Sequence, residues 1–424
     1  MDTLRASLVT SLIASAAAGC GVVGLAPGDA GPPAPVDGAS SKRDASTRRD
    51  ATLGDASIDA DFDDAADGEG GSSDAGALAD ALEAATVDAA LAPIAFSPSN
   101  FSVSGISMAG LRPVHISSAT GACVFDTDLS NLTCADNKTY EIFASEVPLA
   151  DGAGNGVVFA MRSLLVDPLA SLSITGTKVA ILAVFGAVDI EGTVDASGSN
   201  NNSPGQLTTG LGVGAPNSRD SDNNAGGGGG FCGVGGLGAG NAAGGASYGN
   251  GNLIPLVGGS AGGASDGSSS AGGGLQITAA VSILVGAAGG INANGGGGSN
   301  DGTAGGGGAS GGGILLEAPS VTLNGTLSAN GGGGGDGGDD GNVSPFPGVA
   351  QATGGGMEGG GGGFGGTIDG QAGQTSGPSN LGGGGGAAGR IRLNTQAGAA
   401  STGSDALVSP AASTLCVSQG TLQP

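Results

Sequence analysis

Beyond Ala95 the apolar residues fall in short alternating runs, such as Phe101-Ser102-Val103 and Val114-His115-Ile116. Alternation with a period of two puts successive side chains on opposite faces of a strand, so these runs predict short β-strands. Past residue 162 one pattern returns three times: VAILAVFGAVDIEGTVDASG at 179–198, LQITAAVSILVGAAGGINANG at 275–295 and ILLEAPSVTLNGTLSANG at 314–331. Each copy has an apolar alternation, Val-x-Ile/Leu, a Gly, another apolar residue and x-Ala-x-Gly. LASLSITG at 169–176 and GRIRLNT at 389–395 extend the series.

A unit of three short strands is too small to bury its own apolar face, whereas stacked neighbours share one core. The expected fold is all-β, a parallel β-helix or solenoid. Val188/Ile190, Val281/Ile283 and Val321/Leu323 stack inward as aliphatic ladders, with Ile190, Ile283 and Leu323 equivalent. Asp189, Ser282 and Thr322 face out. A β-sandwich is the alternative, since its strands are equally short and evenly spaced.

Glycine-rich insertions at 199–274, 296–313 and 332–388 separate the units and emerge on one side. Of 94 glycines, 21 lie in residues 1–200 and the other 73 follow (94 − 21). The strict every-third-residue period of collagen is missing. Glycine runs either pack as extended, three-per-turn chains bonded to their neighbours or form mobile loops; both readings stand. The fold is expected to depend on the aliphatic ladders and not on the inserts, with 332–388 a surface loop that can be shortened at little cost.

The 37 acids outnumber 12 bases for a formal charge of −25, and seven bases follow residue 93, so a nucleic-acid partner is disfavoured. No apolar run reaches the roughly 18 residues of a membrane span. His115, the single histidine, rules out chemistry that needs several. Set between Val114 and Ile116, it is expected to point outward as an ordinary surface side chain.

The N-terminus reads as a signal peptide over 1–19, with an apolar core from Leu8 to Ala18. Ala17-Ala18-Gly19-Cys20 resembles a bacterial lipobox, making Cys20 the lipidation site. Ordinary cleavage after Ala18, leaving a free thiol, is the alternative. Residues 21–93 hold 15 acids and 4 bases with few large apolar groups. That composition predicts a disordered acidic linker over 20–93. The expected organisation continues with a β-rich cap at 94–162, the repeat body at 163–395 and a C-terminal tail at 396–424. Four cysteines remain, an even number that suits an oxidising compartment. Cys123 and Cys134 enclose a short polar loop and form the expected disulfide. Cys232 and Cys416 are left as a second pair or as two free thiols.

GGGILLEAPSVTLNGTLSANGGGGG at 311–335, GGGGGAAGRIRLNT at 382–395 and ACVFDTDLSNLTC at 122–134 resemble the glycine-rich exported lipoproteins of myxobacterial-type soil bacteria. Such proteins are often labelled PE-PGRS-like on glycine content, although this chain lacks that group's Pro-Glu module. The resemblance implies an exported, lipid-anchored protein and transfers no activity and no site residues.

Several motifs mimic chemistry. G-x-S-x-G patterns surround Ser247, Ser260, Ser265 and Ser310, and Gly233-Val-Gly235-Gly-Leu-Gly238 fits a dinucleotide fingerprint. The first needs a downstream His base and the second a strand–helix unit, and the sequence offers neither. Asp336, Asp339 and Asp340 form an acidic cluster without a calcium-repeat context. The enzymatic alternative is a polysaccharide lyase or hydrolase, with Asp189, Glu191 and Asp195 gathered near Arg390 or Arg392. Trp is absent and Tyr occurs twice, which disfavours a sugar platform. A calcium or matrix-polymer binding module is a third possibility. The expectation is a non-catalytic, surface-anchored structural or adhesive lipoprotein, with no cofactor and no metal. Its partners are the membrane, through the lipid, and extracellular polysaccharide or cell-surface matrix.

Overall fold

The computed structural model describes residues 91–136, 139–149, 154–198, 204–206, 212–214, 224–264, 269–300, 302–342, 350–377 and 380–424. Cys20, the signal peptide and residues 20–90 of the expected acidic linker lie outside the described residues, whereas Ala92, expected in the linker, is bonded to the body. Among the described residues the chain is all-β, without helix. The leading strands are β1 (Val114–Ile116), β2 (Cys123–Asp126), β3 (Asn131–Cys134), β4 (Thr139–Tyr140) and β5 (Phe143–Pro148). Next come β6 (Asn155–Met161), β7 (Leu164–Val166) and β8 (Ser171–Thr175), then β9 (Val179–Val184), β10 (Ala187–Ile190) and β11 (Thr193–Asp195). Two more triplets are β12 (Gly274–Ala279), β13 (Ser282–Val285), β14 (Gly290–Asn292), and β15 (Gly313–Glu317), β16 (Ser320–Leu323), β17 (Thr326–Ser328). After the hairpin of β18 (Thr375–Gly377) and β19 (Asn380–Leu381) follow β20 (Arg390–Thr395), β21 (Ser401–Thr402), β22 (Leu407–Ser409) and β23 (Val417–Thr421).

Successive strands visit three sheets in rotation. The first sheet runs β1-β7-β10-β13-β16-β21, the second β22-β17-β14-β11-β8-β2-β3-β4 and the third β23-β20-β15-β12-β9-β6-β5. Every pair in the first sheet is parallel. In the other two sheets the antiparallel pairs are β2–β3, β3–β4 and β5–β6, all at the N-terminal edge. Parallel pairing already involves β1 and β2, inside the expected cap at 94–162, and residues 396–424 carry β21, β22 and β23. Phe101–Val103, read as a strand, is irregular chain that presses Phe101 onto the third sheet.

The inward ladders form with a corrected register. Val188 pairs with Ile283 and Ile283 with Val321, while Ile190 pairs with Val285 and Val285 with Leu323. Val281 is not a ladder residue: it sits before β13 and is 45% exposed. The shared Val-x-Ile motif misleads here, because Val281-Ser-Ile283 imitates Val188-Asp-Ile190 two residues out of step. These ladders join Leu172, Val194, Ile291 and Leu327 of the second sheet and Phe159, Leu182, Ile277, Leu316 and Leu393 of the third in one core.

The third sheet is buried on both faces, which explains its unalternating apolar strands such as VAILAV. Its outer face carries Val158, Ile181, Ala183 and Leu315, covered by Ile94, Phe96, Phe101, Leu111, Phe231, Leu253 and Leu256. A strap formed by residues 92–100 crosses this face. Ala92 N donates to Phe185 O at 3.1 Å near its start, and Ser97 bridges Gln423. Beneath it lies Glu317, 1% exposed. Its carboxylate accepts from Ser99 N (3.1 Å), Ser99 Oγ (2.5 Å), Gln276 Nε2 (2.7 Å), Thr278 Oγ1 (3.3 Å) and Asn394 Nδ2 (3.0 Å). A buried carboxylate is tolerated only when its lone pairs are filled in this way.

Candidate functional site

The three glycine-rich insertions leave the chain at equivalent places, after β11, β14 and β17 of the second sheet, and return into β12, β15 and β20 of the third. They are brought side by side, and their described parts are ordered against one another. The run 305–312 is the clearest case. Gly305, Gly308 and Gly311 donate to the carbonyls of Leu381, Gly384 and Ala387 at 2.7–3.0 Å. Gly306, Ala309 and Gly312 donate to Ser299, Gly296 and Ala293 at 2.7–2.9 Å, and Gly307 and Ser310 donate to Gly263 and Ser260 at 2.8 and 3.0 Å. Every third amide thus points at the same neighbour. That is the signature of an extended helix with three residues per turn, whose backbone bonds run between chains.

The packing is close enough to require glycine. A methyl group on Gly307 would stand 1.9 Å from Gly227 O, and one on Gly228 would stand 1.9 Å from Gly385 O. The insertions are therefore not mobile loops where they are described, and 381–388 is an integral part of this glycine body rather than a removable surface segment. The x-Ala-x-Gly motif of each unit supplies a polar seam at its root. Ser328 Oγ and Asn330 N both donate to Asn294 Oδ1 at 2.7 Å, and Ser409 Oγ donates to Asn330 Oδ1 at 2.6 Å. The repetition of the motif was visible in the sequence, whereas its pairing was not.

The expected Cys123–Cys134 pair is a disulfide, and Cys232 and Cys416, left open by the sequence, form a second. Cys123–Cys134 links directly opposed residues of β2 and β3, with Cα atoms 4.0 Å apart. Cys232–Cys416 joins the first insertion to the segment before β23 across 184 residues. Beside it Arg390, 7% exposed, donates from Nη2 and Nε to Tyr248 O at 2.8 and 3.2 Å and stacks 5.5 Å from the Phe231 ring centre.

The carboxylates and arginines proposed as a catalytic group are distributed over three sheets. Asp189 is on β10 of the first sheet, Asp195 on β11 of the second, and Arg390 and Arg392 on β20 of the third. Arg392 is engaged with Asn394 Oδ1 (2.7 Å) and Gln419 O (3.0 Å). Asp195 Oδ1 accepts from Ser197 N at 3.0 Å. Asp189 and Glu191 do interact electrostatically. Burial and then Asp167 push the Asp189 carboxyl above its usual range, and burial and then Asp189 do the same to Glu191. Crowded carboxylates of this kind hold protons more tightly.

His115 is half-buried, with Nε2 2.9 Å from Asp167 Oδ2, so it is tied to the neighbouring chain segment rather than lying loose on the surface. Two serines of the hydrolase-like motifs are buried lattice residues: Ser260 N donates to Ser310 Oγ at 2.8 Å, and Ser260 Oγ donates to Tyr248 OH at 3.0 Å. Ser247 is exposed, and Ser265 lies outside the described residues. The Asp336 cluster caps its own turn, with Gly338 N and Asp339 N donating to Asp336 Oδ1 at 2.7 and 2.5 Å. Asp340 Oδ1 accepts from Asn300 N at 2.7 Å. Among the described residues no group of three or more His, Cys, Asp or Glu could hold a metal ion. Comparison with protein families, curated proteins and solved structures gives no match to any part of the chain.

Proposed function

We propose that the chain is a non-catalytic structural or adhesive lipoprotein of a bacterial surface, built on a parallel β-solenoid. The rotation of strands through three sheets, with parallel pairing from one triplet to the next, supports the solenoid over a sandwich. Acylation at Cys20 anchors the protein to the outer membrane. Two acyl chains give durable attachment where one does not. The acidic linker, 73 residues over 21–93, then holds the body about 45 Å from the lipid surface.

The observation that carries this reading is the hydrogen-bonded glycine body, in which the described parts of three insertions pack closely together. Such packing suits a durable display surface for extracellular polysaccharide or matrix, whereas a lid or a substrate loop has to move. Two experiments test the reading. Intact-mass analysis of the mature protein is expected to find an acylated N-terminal Cys20; an unmodified start at Gly19 contradicts it. Incubation with acidic and neutral polysaccharides is expected to yield bound polymer and no new reducing or unsaturated ends. Turnover that Asp189→Ala or Glu191→Ala abolishes would replace the scaffold by an enzyme.

A further inference from the structure

The three sheets do not end level on the N-terminal side. Beyond the triplet β6–β7–β8, the first sheet adds β1 and the third adds β5, whereas the second adds β2, β3 and β4. The second sheet therefore overhangs the other two by a pair of strands. Inside a stack of strands each layer of side chains is covered by the next, whereas under the overhang the cover comes from partly buried side chains such as Tyr140 and Ile142.

A cavity of about 410 Å³ lies there. Its walls include Ile116 from β1, Leu132 from β3, Tyr140 from β4, Phe143 from β5 and Ala160 from β6. The size falls within the roughly 300–1,000 Å³ of pockets that take small organic molecules. Two exposed ionic side chains of opposite sign, Arg112 and Glu141, also line it. They form no ion pair with each other, and neither pairs with another described residue. Two further polar side chains on the cavity wall are already engaged: His115 with Asp167, and Tyr140, whose OH donates to Asp136 Oδ2 at 3.0 Å. An apolar recess whose wall carries an exposed guanidinium and an exposed carboxylate, neither paired among the described residues, complements a molecule with a hydrocarbon body and groups of both charges.

We propose that this cavity binds a small zwitterionic amphiphile. The apolar chain lies under the β3–β4 overhang, an anionic group meets Arg112 and an ammonium group meets Glu141. The site is independent of the lipid anchor and of the glycine body.

The test uses the mature protein and N-phenyl-1-naphthylamine as a fluorescent occupant. It is displaced by three amphiphiles of matched tail: 2-aminodecanoic acid, decanoic acid and decylamine. All three are expected to compete at one site per chain, with the zwitterion about fivefold tighter than either singly charged compound, as suits one additional exposed ion pair. Arg112→Ala should reduce the zwitterion to the level of decylamine, and Glu141→Gln to that of decanoate. Both side chains are exposed, so the thermal melt should not move and the loss reads binding alone. The proposal is overturned if the fluorophore does not saturate at one site, or if the three compounds compete equally. It also fails if neither variant changes the ranking, or if binding requires phosphatidylethanolamine vesicles in place of the soluble amphiphile.

Discussion

Gly307→Ala puts the central claim about the insertions at risk. At an unconstrained position, replacing Gly by Ala stabilises a protein by about 0.4–1 kcal/mol, because the unfolded chain loses freedom. At Gly307 the new methyl would stand 1.9 Å from Gly227 O and 2.4 Å from Gly227 C. Contact at a normal carbon–oxygen distance requires the two chains to separate by more than 1 Å, and both obstacles are backbone. Overpacking of that kind costs about 1–3 kcal/mol. Two bonds would stretch or break, Gly307 N→Gly263 O and Gly263 N→Gly227 O, each 2.8 Å. A buried amide left without its partner costs about 1–3 kcal/mol. With one of the two bonds lost outright, the expected loss is about 2–6 kcal/mol. Gly366→Ala is the control: nothing lies within 4 Å of its added methyl, and it should be neutral or slightly stabilising. Guanidinium unfolding of the two variants beside the parent, followed by circular dichroism, measures the difference. If Gly307→Ala unfolds within about 0.5 kcal/mol of Gly366→Ala, the glycine body is not a packed element and the argument fails.

Other expectations follow from the same structure. Leu323→Ala removes a ladder residue 1% exposed and should cost about 2–5 kcal/mol in the same assay. Breaking Cys232–Cys416 by a double Cys→Ser change releases a loop of 184 residues, worth about 5 kcal/mol in the chain-entropy treatment. The Cys123–Cys134 pair, separated by 11 residues, should be worth about 3 kcal/mol. Glu317→Ala leaves the Ser99, Gln276 and Asn394 donors without their acceptor, and hydrogen exchange of the 92–100 strap should accelerate before the rest of the body opens. Asp189 and Glu191 have raised carboxyl pKa values. The folded state therefore binds more protons than the unfolded one above the usual carboxylate range, and their contribution to stability falls as pH rises through the folded pKa values. Asp189→Asn should raise the melting temperature at pH 7 more than at pH 4; an equal shift at both would refute the assigned cause.

Strand identity was legible in the repeats because burial on one face imposes period two, as in Val188-Asp189-Ile190 and Val321-Thr322-Leu323. Register was harder. Gly286–Gly289 makes the link from β13 to β14 longer than Glu191-Gly192 or Asn324-Gly325, and the Val281 imitation of Val188 pulled the alignment two residues out of step. The cysteine pair of β2 and β3 was readable from its short loop, whereas Cys232 and Cys416 are brought together by folding of the first insertion. Order in the glycine runs was not decidable from composition, since glycine serves a loose chain and a tight lattice equally well. The Glu317 cluster was invisible for a different reason: its members Ser99, Gln276, Thr278 and Asn394 are scattered in sequence and meet only where the strap crosses the third sheet.

The period of three in the insertions also constrains how their lengths can change. In the run 305–312 one residue advances the amide direction by a third of a turn, so a single added or deleted residue aims every later donor at the wrong chain. Gain or loss of three residues restores all three directions and alters the run by one turn. Length variation inside the packed runs is thus quantised. A frame of this kind edits in triplets at the level of residues, and variants made by slippage should survive or fail according to that count.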